Sequence, residues 1–129
     1  MAITLASNTR DVATNSIVNL INQGTINPTG SINIYTTGLT TLLVTLNFSN
    51  PAYATSLNGV ARGNPVTNGV ALTSGVASIF TVVNRDGTEI FRGTVTATGG
   101  GGDIELSSIS IATSQIVSIN SSTFTMPAT

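Results

Sequence analysis

The sequence predicts a mainly β protein, an antiparallel β-sandwich or jelly roll with one short N-terminal helix. Three observations lead there. Apolar residues alternate with period two between residues 32 and 48, and further β-rich runs follow at 76–84, 88–96 and beyond 103. Turn residues recur about every eight to twelve positions, as in sandwiches and jelly rolls. Finally, 22 Thr, 14 Ser and 13 Asn make 49 of 129 residues small and uncharged but polar, a composition suited to strands, strand ends and turns.

At 129 residues the chain has the size of one domain, enough to bury roughly two-thirds of its extended surface in one core. We read residues 1–129 as a single domain. Charged residues are only 7% of the chain, with no Lys, no His and no Cys. Its surface is therefore kept wet by hydroxyls and amides, and no disulfide or thiolate metal site can hold the fold. Four scattered arginines, Arg10, Arg62, Arg85 and Arg92, and a net charge of −1 give no basic patch. Nucleic acid and anionic membranes both demand one, so neither is expected as a partner.

Element by element, Ser7, Asn8 and Thr9 are candidate caps, Asp11 lies where a helix start favours an anion, and Ala13, Ile17, Leu20 and Ile21 recur at helical spacing. With Gly24 as a stop, this predicts a helix over about 9–22, with Ile17, Leu20 and Ile21 in the core. After Asn27-Pro28-Thr29-Gly30, Ile32 and Ile34 alternate, then Leu42, Val44, Leu46 and Phe48, giving a hairpin with one apolar face. The stretch 50–75 is rich in Pro and Gly and predicts a long loop with one or two short strands. The runs 76–84 and 88–96, joined by Arg85-Asp86-Gly87, predict a second hairpin, because Asp-Gly tolerates positive φ. Gly99 to Gly102 predict a mobile loop. Strands in DIEL, SISIA and QIVSIN follow, with a bulge near Ser121 and Ser122 to reconcile Val117 and Ile119 with Phe124 and Met126.

The missing His, Lys and Cys remove the usual general base, Schiff-base amine and thiolate nucleophile, so a Ser-His-Asp arrangement is impossible within this chain. We expect no enzyme, no catalytic residue and no cofactor. Among the acids, Asp11, Asp86 and Glu89 have structural explanations; Asp103 and Glu105 share one strand face, where a weak calcium site completed by backbone carbonyls is the metal candidate. Two solvent-facing charges that discourage edge pairing is the preferred reading of that pair. The glycine run lacks the Lys-Ser/Thr and helix start of a phosphate loop. Asn47-Phe48-Ser49 and Asn120-Ser121-Ser122 fit the glycosylation sequon, but chance matches are expected in such a composition. There is no Trp; the four Phe fall in strand patterns, leaving Tyr35 and Tyr53 as the aromatics expected at the surface.

The segments MAITLASNTRDVATNSIVNLINQG, INPTGSINIYTTG, TLLVTLNFSNPAY and SSTFTMPA, read together, resemble a set of small β-rich proteins encoded among the structural genes of tailed bacteriophages and prophages. The resemblance spans nearly the full chain and carries no catalytic residue with it. It implies a structural virion protein, most like a capsid cement (decoration) protein that binds the outside of the capsid and stabilises contacts between major capsid protein subunits. The expected partners are the major capsid protein and the chain itself, as a homotrimer first and a dimer next, because a closed oligomer on a symmetry axis clamps several shell subunits. The N-terminal MAITLASNTR lacks the basic and apolar regions of a secretory signal. That fits a protein made in the bacterial cytoplasm, assembled into the virion and released by lysis. The alternatives are a minor tail or baseplate component and a carbohydrate-binding module for host recognition.

Overall fold

The structure, a computed structural model, describes residues 3–119 and the backbone of 123–125. The fold is mainly β with one N-terminal helix. Helix α1 spans Ser7–Leu20, and Ala6 sits at its N-cap in extended conformation without a side-chain cap. None of Ser7, Asn8 and Thr9 caps it, and the helix runs about two residues earlier than the sequence predicts. Its last turn tightens through the amides of Ile21, Asn22 and Gln23, which donate to Val18, Asn19 and Leu20.

The buried stripe of α1 is Thr14 and Val18, continued by Ile21 just beyond the helix. Leu20 is exposed and Ile17 half-buried, which corrects the predicted core face. Hydrogen bonds select the face. Thr14 Oγ1 donates to Gly59 O at 3.3 Å, Asn15 Oδ1 accepts the Ser56 amide at 2.8 Å, and Asp11 holds Ser56 and Gly59. These polar anchors rotate Val18, rather than Leu20, onto the protein.

Five strands form one curled sheet in the order β2-β1-β6-β7-β8, where β1 is Ser31–Tyr35, β2 Leu42–Asn47, β6 Ile79–Val83, β7 Glu89–Ala97 and β8 Ile104–Leu106. The predicted first hairpin is present: Ile32 faces Leu46 and Ile34 faces Val44, all buried. A register shift after Ile34 pairs Tyr35 with Leu42, so Leu43 is buried instead of Leu42. The second hairpin is also present, and the Asn84 amide on Thr88 O at 2.9 Å closes its turn over Arg85-Asp86-Gly87, as predicted. Asn84 Oδ1 accepts the amides of Asp86 and Thr88, and Gly87 alone in the turn takes positive φ, 85°.

The remaining strands are short: β3 (Val60–Arg62), β4 (Gly69–Val70), β5 (Gly75–Val76), β9 (Ser110–Ile111), β10 (Ile116–Val117) and β11 (Thr123–Thr125). They pair as β10–β4, β11–β3 and β5–β9, all antiparallel. The loop over 50–75 thus holds β3 and β4, as predicted, and the run 76–84 is divided between β5 and β6. The expected bulge near Ser121 and Ser122, and Met126, lie outside the described residues.

The β7–β8 pair is parallel, with Val95 opposite Ile104, which corrects the all-antiparallel expectation. Gly99 and Gly101, at φ 86° and 82°, let the chain double back in a few residues. A Cβ at Gly100 or Gly102 would sit 2.7 or 2.8 Å from the Thr96 side chain, so the loop lies directly on Thr96. The core joins Val18 and Ile21 to Ile32, Ile34 and Val44 of the sheet, and Ile111 and Val117 of the ladders belong to the same buried cluster.

Candidate contact surface and the carboxylates

All five carboxylates of the chain accept hydrogen bonds within the fold. Asp11 Oδ1 accepts the Gly59 amide at 2.7 Å and the Ser56 hydroxyl at 2.8 Å, and these two bonds hold its carboxyl below the usual carboxylate range. Asp86 Oδ1 accepts the amides of Thr25 at 2.8 Å and Ile26 at 3.0 Å, with the same consequence. Asp11 thus ties the helix to the turn before β3 instead of capping a helix start. Asp86 binds the segment after the helix to the second hairpin, where Arg85 Nε also donates to Asn27 O at 2.6 Å.

Glu89 and Arg92 form a two-pronged ion pair, Nε to Oε2 and Nη2 to Oε1, both 2.8 Å. The pair lowers the Glu89 carboxyl and raises the Arg92 guanidinium. In a regular strand residues three apart point to opposite faces; the register shift between Val82 and Val83 in the β6–β7 pairing brings these two together. Both are well exposed, so the pair contributes little to stability.

The metal candidates turn to different tasks. Asp103 Oδ2 accepts the Thr94 amide at 3.0 Å and hydroxyl at 3.3 Å, while Glu105 accepts the amides of Gly99 at 3.2 Å and Gly101 at 3.1 Å. Each carboxylate therefore faces N–H donors of its own chain. Among the described residues no three His, Cys, Asp or Glu side chains gather in one place. The glycine run that composition marks as mobile is held by Glu105, by Thr96 Oγ1 on the Gly102 amide, and by Ala97 O on the Gly100 amide.

Phe48, Tyr53 and Phe80 pack inward. Phe48 and Tyr53 are buried with ring centroids 5.7 Å apart, and Phe80 meets Phe91 edge to face at 6.4 Å. Tyr53 is 6% exposed, against the expectation of a surface residue, and Tyr35 is half-buried. No helix among the described residues is long and apolar enough to cross a membrane.

The surface feature that the sequence reading missed is aliphatic. Val70 and Ile116 are direct cross-strand partners in the β10–β4 ladder and are 58% and 68% exposed; Leu72, two residues along from Val70, is 64% exposed. Between them Ala71 turns inward, 3% exposed, so the period-two alternation runs with its larger aliphatics outward. The ladder is fastened to β2 by the Thr67 amide on Asn47 O at 2.8 Å and the Leu72 amide on Leu43 O at 2.7 Å. The readable signal was the absence of ionisable residues from 63–84 and from 106–129, the two stretches that supply this ladder.

Compared with protein-family models, with curated proteins and with solved structures, the chain matches none of them.

Proposed function

We propose that this protein is a structural component of a virion, a capsid cement protein that binds the outside of a phage shell and stabilises contacts between major capsid protein subunits. The observation that carries most weight is the pairing of an uncharged aliphatic face with a set of carboxylates each engaged by donors of the same chain. Large aliphatics left in water at cross-strand positions are what a protein keeps for contact with another protein. Carboxylates that accept hydrogen bonds from backbone amides or pair with arginine are poorly placed for acid–base work, which supports a non-enzymatic role. In this reading the five-stranded sheet and the short ladders, which share one buried cluster, form the two layers of a sandwich. Bound copies then favour the assembled shell by mass action, each adding buried area across subunit boundaries.

The burial of Phe48, Tyr53 and Phe80 weighs against a sugar-binding platform built on these rings. A minor tail or baseplate component shares every feature above and differs in copy number. Quantifying the chain by mass spectrometry in purified particles, against the main shell protein, separates the readings. A copy number comparable to the shell protein is the expected result; a few copies per particle assign it to the tail, and absence from particles overturns the virion reading.

A further inference from the structure

We infer that the β10–β4 face is a two-fold self-association surface, so that the chain pairs with a second copy of itself through Val70, Leu72 and Ile116. The inference goes beyond the virion reading and holds or fails on the purified chain alone.

A two-fold contact superposes each residue near its axis on its own copy, so any ionised group there meets its like. The β10–β4 ladder avoids that. It is built from 69–70 and 116–117, inside stretches without a single ionisable residue, and it borders β2, the first strand in the sheet order. Glu89, Arg92 and Glu105 belong to β7 and β8, at the other end of that order. Next to Leu72 and Ile116 along the chain stand Ser74, Ser114, Gln115 and Ser118, all exposed and uncharged. An aliphatic centre with a neutral polar rim is the anatomy of a protein–protein contact, and its neutrality makes it electrostatically complementary to itself.

Val76 is also exposed and uncharged in its surroundings, but it faces Ser110 across its ladder and has no large aliphatic opposite it; Val12 and Ile26 lie beside charge. Val12 follows Arg10 and Asp11 in the chain, and the Ile26 amide is bonded to Asp86. Two copies meeting there would bring like charges together. The β10–β4 face is thus the one of these that sets large aliphatics against each other across a ladder without nearby charge in the sequence, and because the same patch serves both copies it closes as a dimer rather than a trimer.

Sedimentation of the purified chain at rising concentration tests this. The expected mass is twice that of the chain, and Ile116→Asp and Ile116→Arg each halve it, with circular dichroism unchanged because the site is exposed. Mixing the two variants restores the doubled mass, since opposite charges then meet across the axis. Because the chain has no cysteine, Ile116→Cys should also oxidise to a covalent dimer while Leu57→Cys, equally exposed, does not. A monomer at all concentrations, a trimer, or a dimer indifferent to both charge variants overturns the proposal.

Discussion

The carboxylate of Asp11, on the helix, accepts the amide hydrogen of Gly59 at 2.7 Å, across 48 positions of sequence. With the Ser56 hydroxyl on the same oxygen and Thr14 bonded to Gly59 O, it fixes the Asn58-Gly59 turn that leads into β3. Asn58 and Gly59 both take positive φ, 54° and 79°, and the bridge between Leu57 and Val60 closes the turn. A Cβ at Gly59 would fall 2.7 Å from the Arg10 guanidinium, so helix and turn are in contact through backbone as well as side chain.

Stability should therefore fall in acid. Asp11 and Asp86 have folded-state carboxyls below the ordinary 3.8, and Glu89 below 4.5. A depressed carboxyl means that the folded state binds fewer protons than the unfolded one, so its contribution is complete above the ordinary value and lost as pH falls through the lowered one. Urea unfolding at neutral pH and below the ordinary carboxylate range measures the loss. The Asp11→Asn, Asp86→Asn double variant, which retains acceptor oxygens without the charge, should show a shallower decline; an identical decline would place the acid sensitivity elsewhere.

Neighbouring positions at the end of the helix should respond oppositely to truncation. Ile21 is 0% exposed and its Cγ2 lies where a Cβ on Gly30 would go, whereas Leu20 is 48% exposed. Ile21→Ala should cost about 2–5 kcal/mol, and Leu20→Ala within about 0.5 kcal/mol of zero. Chemical denaturation of the two variants checks it, and equal losses would restore the predicted core face.

What the sequence could and could not reveal follows from the range of the interactions. Both hairpins were legible, because Ile32, Ile34, Val44 and Leu46 carry the period-two signal locally and Asp86-Gly87 marks a turn. The phase of the helix was not, since it depends on hydrogen bonds from Asp11, Thr14 and Asn15 to a turn some 45 residues away. The parallel β8 was hidden for a related reason: four glycines in a row suggest freedom, and only the folded geometry aims their amides at Glu105 and Thr96. The Asp103 and Glu105 pair was legible as a cluster of charge but not as two acceptors turned to different donors.

Loss of the Glu105 carboxylate should free the glycine loop without unfolding the protein. In Glu105→Ala the amides of Gly99 and Gly101 lose their acceptor, and their hydrogen exchange should rise while that of β6 amides, inside the sheet, stays as before. The same geometry predicts that excess calcium leaves the melting temperature unchanged, because a bound ion stabilises only by adding affinity for the folded state. A calcium-dependent rise would restore the metal reading of Asp103 and Glu105.

Gly69 and Gly87 illustrate two reasons for a glycine, and alanine should separate them. At Gly87 nothing lies within 4 Å of an added Cβ but φ is 85°, so Gly87→Ala carries only the conformational cost of about 1–2 kcal/mol. At Gly69 a Cβ would stand 2.3 Å from Thr45 O and 2.7 Å from Val44 Cγ2. A backbone oxygen inside a paired strand cannot step aside, so Gly69→Ala must lift β4 off β2, an overpacking cost of about 1–3 kcal/mol. The distinguishing measurement is hydrogen exchange at the Leu72 and Thr67 amides, which bond to Leu43 O and Asn47 O. Both should lose protection in Gly69→Ala and keep it in Gly87→Ala. Since the aliphatic face rides on the same ladder, Gly69→Ala should also weaken dimer formation at a position that is itself buried, whereas Gly87→Ala should leave it intact.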